Sequence, residues 1–415
     1  MIEIKMFPAS YGDSFLISCI GDTNTHIMVD MGFSTTYDNY ISKEIQKIEA
    51  DGISLLIFTH IDEDHILGGI RFFNKNGYAG TSGSIDIKEI WYNSFRHVQF
   101  HKTQNETGNS SNGVIEDLLK KGHPRELGVR EVSDVGYQQG STLGSLILKN
   151  GYVNNWNSSF EYGAVVVNEE ISNSYNINDE VSLTLLSPNL ENLELLGHEW
   201  EKKLSSIGYE STVQSDQLMD DAFEFFMSNL QMELKKRKVN EVSSIKESVE
   251  EIAKKNFEPD KAVVNGSSIA FILEFRGKSL LFLGDCHPEV VESNLKKILK
   301  KTNQEKMWFD VVKVSHHGSK HNTSVSLLKL INSKKYLFST NGKGKNFSHP
   351  DIETIYRIIT TDNTLDKELI FNYKPFMILN KFNDASLMEE FSYSIDYTND
   401  LVQAKKEVPT IIHVR

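Results

Sequence analysis

Cysteine is nearly absent from this chain: only Cys19 and Cys286 occur in 415 residues. A disulfide framework is thereby excluded, and a reducing compartment fits. Long apolar runs are lacking too, since no stretch approaches the roughly 18 residues a membrane helix needs. The opening residues Met1-Ile2-Glu3-Ile4-Lys5-Met6 show no basic region followed by an apolar stretch, so a secretory leader is not expected there. Positive charge is in deficit. With 44 Lys and Arg against 57 Asp and Glu, the formal net charge is −13, which disfavours non-specific binding to nucleic acid or anionic membranes. A local cationic cleft stays compatible with that total. These absences together predict a cytoplasmic protein with no membrane association.

What is present is the make-up of a globular chain, 39% hydrophobic and 24% charged, long enough for one large domain with insertions or for two ordinary ones. Ser14–Ile20 and Thr25–Asp30 read as strands joined by the turn at Gly21-Asp22-Thr23-Asn24. Residues Tyr40–Ile48 carry isoleucines at near-helical spacing. Ile53–Phe58 is short and apolar enough for a buried strand, Gly68-Gly69 is expected to open a helix, and Glu89–Tyr92 is a further strand candidate. Strand character returns at Glu180–Leu186, at the hairpin Ile269–Phe275 and Ser279–Leu283, and at Phe309–Val314, with a helix over Pro288–Lys300. Between about 190 and 258, Leu218, Met219, Ala222, Phe223, Phe226, Leu230 and Leu234 recur at three- and four-residue steps, the pattern of a helical insertion with one buried face.

The chemistry concentrates in three places. His60, Asp62, Asp64 and His65 lie in one loop directly after the apolar run Ile53–Phe58. Imidazole and carboxylate are what a divalent ion of intermediate hardness binds, and the strand gives the loop a fixed origin. Asp285 follows Leu281-Phe282-Leu283-Gly284 at a strand end. His316-His317-Gly318-Ser319 follows the strand ending at Val314. Adjacent histidines do not easily face one metal together, so one of His316 and His317 is expected as a ligand and the other as a residue that orients it or the substrate. Other polar features read as structural: Cys286 as a buried spectator thiol, and His97, His101, His123, His198 and His287 as ordinary histidines. The run Lys235-Lys236-Arg237-Lys238 reads as a solvated helix end, and the Phe223, Phe225 and Phe226 group as core or a partner contact.

With these residues in view, the chain resembles the metallo-β-lactamase superfamily, and within it the ComEC-like branch, the hydrolase domain of the DNA-uptake channel protein. The branch carries H-x-D-x-D-H, a GD after a strand and HHGS after the next, as here. Tyr11-Gly12-Asp13-Ser14 with Met28-Val29-Asp30-Met31-Gly32 is similar to its opening motif, and so are Asn265-Gly266-Ser267-Ser268 and Phe347-Ser348-His349-Pro350 to its later ones. The resemblance implies an α/β fold, a four-layer αββα sandwich with a helical insertion. Its first half would span 1–189, with an irregular insertion at 96–178. A helical insertion or cap would follow at 190–260, then the second half at 261–355 and a C-terminal extension at 356–415.

The resemblance also implies two divalent metal ions, zinc or manganese. His60 and Asp62 would hold one, Asp64 and His65 the other, with Asp285 bridging and His316 or His317 completing the second. Asp30 and Asn265 would lie behind the ligands. Asp62 and Asn265 stand where many members have histidine, which makes the first position richer in oxygen and manganese a fair occupant. Asp64 would position a metal-bridging hydroxide, while His349, Lys320 and His321 are candidates for contacting a phosphate or protonating a leaving group. The leading expectation is a phosphodiesterase or nuclease. The alternatives are a hydrolase of a small ester, lactone or thioester, and a partner-binding component of a multi-protein system, for instance in bacterial defence, with activity gated by that partner.

Overall fold

The computed structural model describes residues 1–98, 142–160, 163–168, 173–206, 224, 248–343, 349–362, 364–375, 381–399 and 407–415. Its first sheet takes β1 (Ile2–Met6), β2 (Ser14–Cys19), β3 (Thr25–Met31), β4 (Leu55–Ile57) and β5 (Ile90–Trp91). The second takes β6 (Ser174–Asn176), β7 (Val181–Ser187), β8 (Ala270–Phe275) and β9 (Lys278–Phe282). A short parallel pair of β10 (Met307–Phe309) and β12 (Ile331–Ser333) flanks it. The second sheet continues with β11 (Val311–Lys313), β13 (Lys335–Phe338), β14 (Lys367–Tyr373) and β15 (Tyr393–Asn399), whereas β16 (Thr410–Val414) returns to the first. The strand orders are β16-β1-β2-β3-β4-β5 and β15-β14-β13-β11-β9-β8-β7-β6.

Three apolar layers follow from this order. Between the sheets lie Ile4, Phe15, Ile17, Ile27, Val29 and Leu55 from one, against Leu183, Phe271, Leu273, Leu280, Val311 and Leu337 from the other. The outer face of the first sheet packs Met28, Leu56 and Phe58 against helix residues Ile66, Phe72 and Phe73. The outer face of the second packs Ile272, Leu281 and Val312 against Val291, Leu295, Ile355 and Ile359. Strands covered on both faces read as unbroken apolar runs, and β2 and β3 are buried at every position. The result is the αββα sandwich expected from the sequence.

Helix α1 (Glu63–Asn76) starts where the His60 loop ends. Glu63 and Asp64 in its first turn and Lys75 in its last suit the helix dipole. Gly68 and Gly69 lie inside α1 rather than opening it. A Cβ at Gly68 would sit 2.0 Å from the Met31 carbonyl oxygen, so these glycines let the helix lie close on β3. Helices α2 (Leu143–Lys149) and α3 (Leu190–Ser206) cover the same side, and α4 (Pro288–Thr302) and α5 (Ile352–Thr360) cover the other sheet.

Three sequence expectations need correction. Residues 37–41 form one π-helical turn between the α-turns Ser34–Thr36 and Ser42–Lys47, not a plain helix from Tyr40. Phe309–Val314 is not one strand: the Asp310 amide donates to the Ser279 carbonyl at 2.8 Å, the Ser279 amide donates to Asp310 Oδ2 at 2.9 Å, and there the chain passes from β10 to β11. The region 356–415 is no extension beyond the sandwich, since it supplies two strands to the second sheet and one to the first. The boundary at 355 also cuts through α5. His101, His123, the repeat from Leu218 to Leu234, Phe225, Lys235–Lys238 and Phe347-Ser348 lie outside the described residues.

Candidate metal centre

The strands β1, β3, β4, β9, β11 and β13 all end at one edge of the sandwich, and each is followed by a polar loop or carries a polar residue at its end. Asp13 comes from the loop after β1, Asp30 from the end of β3, and His60, Asp64 and His65 from the segment after β4. Asp285 follows β9, His316 and His317 follow β11, and Ser339 follows β13. Each sheet thus contributes half of one buried cluster.

Asp285 is its centre. Its Oδ2 lies 3.9 Å from His60 Nε2, 3.6 Å from His65 Nε2, and 3.7 Å from Nε2 of both His316 and His317. Asp64 Oδ2 is 3.5 Å from His317 Nε2. Four imidazoles therefore turn the same nitrogen toward one carboxylate oxygen.

The opposite nitrogen of each ring is held from behind. His65 Nδ1 donates to Asp30 Oδ2 at 2.8 Å. Thr59 Oγ1 donates to that same oxygen at 2.8 Å and so accepts from His60 Nδ1 at 3.0 Å. His317 Nδ1 donates to the Ser339 carbonyl at 2.9 Å, with Asp13 Oδ1 at 3.3 Å. His316 Nδ1 donates to Asn322 Oδ1 at 3.0 Å. Such rear hydrogen bonds fix which ring nitrogen is free to bind a metal.

The residues present fit a divalent ion. His60 Nε2, His65 Nε2 and Asp285 Oδ1 are buried with no hydrogen-bond partner among the described residues, a costly condition for polar atoms that a metal relieves. His60, His65 and Asp285 form one group whose ligand atoms all lie within 4.8 Å of one another, and Asp64, His65 and His317 form another.

The electrostatics agree with a cluster built around charge. Burial, aided by the nearby His65, pushes His60 down to about 3. For His65 burial opposes protonation, but Asp30, Asp285 and Asp64 outweigh it and hold the ring well above the usual histidine range. His317 is raised to about 9, with burial overcome by Asp13 and Asp285. Burial would raise Asp285, yet His316, His317 and His65 hold it well below the carboxylate range. Lys313, 1% exposed, pairs with Asp13 and lies 3.8 Å from Asp285 Oδ1.

Among the residues singled out from sequence, His60, Asp64, His65, Asp285, His316 and His317 come together. The expectation that only one of the adjacent histidines would face the centre does not describe this geometry. His316 and His317 both take left-handed backbone conformations, φ 47° and 54°, which turn successive side chains to the same point. Asp62 belongs to neither group of three. It caps α1, its Oδ1 accepting from the Glu63 amide at 3.0 Å. Asn265 Nδ2 lies 3.2 Å from His316 Nδ1. The His349 ring packs edge-on against His316 at 5.2 Å, and burial pushes its pKa down to about 4. Lys320 Nζ is engaged by Glu353 at 3.1 Å, and His321 Nδ1 donates to the Glu258 carbonyl at 2.7 Å. His97 is buried and receives the Ser94 amide, His198 is exposed beside Glu201, and His287 Nε2 donates to the Ala262 carbonyl.

Asp13, Lys313, Asp260 and Asn322 were not assigned roles from sequence. Lys313 left a signal, a lone charge at the end of an otherwise apolar strand. Asp13 sits inside the quoted Gly12-Asp13-Ser14 motif. Asp260 and Asn322 left none, since polar residues beside turns are common.

Histidines and carboxylates gathered where two back-to-back sheets end define a metal-binding αββα protein. Residues 8–138 match the model of the Metallo-beta-lactamase superfamily, and the αββα sandwich of the described residues is consistent with that fold. No curated protein sequence matches the chain. Among solved structures it is similar to the metallo-beta-lactamase fold protein YhfI from Bacillus subtilis, at 9% identity and a TM-score of 0.33 over the whole of both chains. It is also similar to Zn(2+)-bound PqqB from Methylobacterium extorquens, at 7% identity and a TM-score of 0.32, over 99% of this chain and 100% of that one. Likenesses this loose carry no conclusion about fold or function. No helix among the described residues is long and apolar enough to cross a membrane.

Proposed function

We propose that this protein is a metal-dependent phosphodiesterase, acting on nucleic acid or another phosphodiester, of the ComEC-like branch. The observation that carries the reading is the convergence of four histidine Nε2 atoms on Asp285 Oδ2 at 3.6–3.9 Å, with Asp64 beside His317. Divalent ions held there by these residues would supply Lewis acidity and acidify a bound water toward neutral pH. Asp64 would accept a hydrogen bond from that water, and Asp285 would hold both halves of the site in register. The donors brought together, four imidazoles with the carboxylates of Asp64 and Asp285, form a mixed nitrogen and oxygen set that suits zinc or manganese.

His349 is the neighbouring residue best suited to the leaving group or a phosphate oxygen. Its ring abuts His316, and with a pKa near 4 it offers a neutral N–H at pH 7. Lys320 is the weaker candidate, because its ammonium must first leave Glu353.

The test is hydrolysis of single-stranded DNA, RNA and bis-p-nitrophenyl phosphate by the purified chain with manganese or zinc, beside Asp64→Ala. Metal-dependent cleavage lost in the variant is the expected result. Metal uptake without cleavage of any of the three overturns the phosphodiester reading. It leaves a carboxylic ester, lactone or thioester substrate, or activity released by a partner.

A further inference from the structure

Three of the four clustered histidines have a carboxylate behind Nδ1, and only two of those carboxylates lie in the quoted motifs. Asp30 backs His65 and Asp13 backs His317. The third is Asp260, in the segment that leads into β8. Its side chain is only 13% exposed, and its Oδ2 lies 3.5 Å from His316 Nδ1.

The intervening groups make this more than proximity. Asp260 Oδ1 accepts from the Ala262 amide at 2.9 Å, and Oδ2 accepts from Asn322 Nδ2 at 3.0 Å and Asn265 Nδ2 at 2.5 Å. A carboxylate can only accept, so both asparagines turn their NH2 groups to it. Asn322 Nδ2 donates also to the Asp285 and Cys286 carbonyls, at 3.1 and 3.2 Å. With its amide so fixed, Asn322 has only Oδ1 left for His316 Nδ1. A proton on His316 Nδ1 satisfies the shorter of its two amide contacts, 3.0 Å to Asn322 Oδ1 against 3.2 Å to Asn265 Nδ2, and points a bare Nε2 at Asp285. The backbone holds the arrangement together, since the Asp260 amide donates to the His321 carbonyl at 3.0 Å.

We propose that Asp260 is a positioning residue for His316, acting with Asn322 to set its tautomer and aim Nε2 into the metal centre. The inference rests on the metal-centre reading above. Removing such a rear partner lowers metal affinity about 10–100-fold. Asp260→Asn keeps the shape and removes the charge.

The experiment has two readouts on the full-length, metal-free chain. The first is titration with zinc alone in competition with a chelator. Asp260→Asn is expected to weaken one bound ion by about 10–100-fold and leave the other within a few-fold. Asn322→Ala should do the same, and the double variant should lose no more than the worse single one. The second is the side-chain nitrogen spectrum of 15N-histidine-labelled protein above pH 8. His316 should be a single Nδ1–H tautomer in the wild type and a mixture in Asp260→Asn. Zinc binding and a tautomer unchanged in both folded variants overturn the proposal. A wild-type chain that takes up no zinc overturns the metal reading instead, and the nitrogen spectrum still decides whether Asp260 governs His316.

Discussion

Gly12 is where the loop after β1 touches the start of α1, and a single methyl group there tests how the site is aligned. An ideal Cβ at Gly12 would lie 2.0 Å from the Asp64 carbonyl oxygen and 2.9 Å from Asp64 Cβ. Real Cβ atoms essentially never approach within 3.0 Å, so at least 1 Å of separation must open against backbone that cannot rotate away. Overpacking of this kind costs about 1–3 kcal/mol. At about 2.1 cal/mol/K per residue the unfolding entropy of this chain is about 0.9 kcal/mol/K, so the melting temperature should fall by only about 1–3 °C. The site should suffer more, because a shift of about 1 Å far exceeds the roughly 0.2 Å within which metal–ligand distances must hold. Gly12→Ala is therefore expected to melt close to the wild type yet lose at least tenfold in zinc or manganese affinity, measured by competitive titration and differential scanning fluorimetry. Gly197→Ala is the control of opposite sign. It lies within α3, its Cβ would come no nearer than 3.7 Å to the Val98 carbonyl oxygen, and it should stabilise by up to about 1 kcal/mol. Full metal affinity in Gly12→Ala would refute the claim that this loop sets the position of Asp64.

Three further outcomes follow from the same geometry. Metal at about 100 times its dissociation constant should stabilise the wild type by about 2.7 kcal/mol per site, and Asp285→Asn should abolish that shift in thermal melts; a full shift in the variant would rule out Asp285 as the shared ligand. Lys313→Met strands the buried Asp13 carboxylate and should cost about 3–5 kcal/mol in chemical denaturation. Adding Asp13→Asn should recover part of the loss, and strict additivity would argue against the pair. Because His317 is raised to about 9 and His65 well above the usual range, ions must displace protons below those values. Affinity should thus climb from pH 6 to about 9 and then level, with protons released on binding; calorimetry in buffers of different ionisation enthalpy that finds no release would contradict this.

Much of the site was legible because it follows apolar runs. Ile53–Phe58 ends at His60, Leu280–Leu283 at Asp285 and Val311–Val314 at His316, and a ligand-type residue after a buried strand stands out against its surroundings. Asp260 and Asn322 carry no such contrast: their roles come from hydrogen bonds across 62 residues of chain. That His316 and His317 face the centre together is not legible in the sequence, because two left-handed residues in succession are rare and residue type does not announce them. The strands β14 and β15 lay beyond the motifs, although Lys367–Tyr373 is buried along almost its whole length. The break at Asp310 depends on its bonds to Ser279, which no local pattern records.

The pairing of β16 with β1 bears on how the chain is made. Ile2 to Met6 pair on one side with Phe15 to Cys19, which follow at once, and on the other with Thr410 to Val414. At ordinary elongation rates roughly 20–80 s separate the synthesis of the two partners. Throughout that interval the outer edge of β1 is an open row of amides and carbonyls, the kind of edge on which nascent chains associate with one another. The alternation of Glu3 and Lys5 with Ile2, Ile4 and Met6 places the charges on one face of that strand, a guard it carries until the ribosome delivers the strand that covers it.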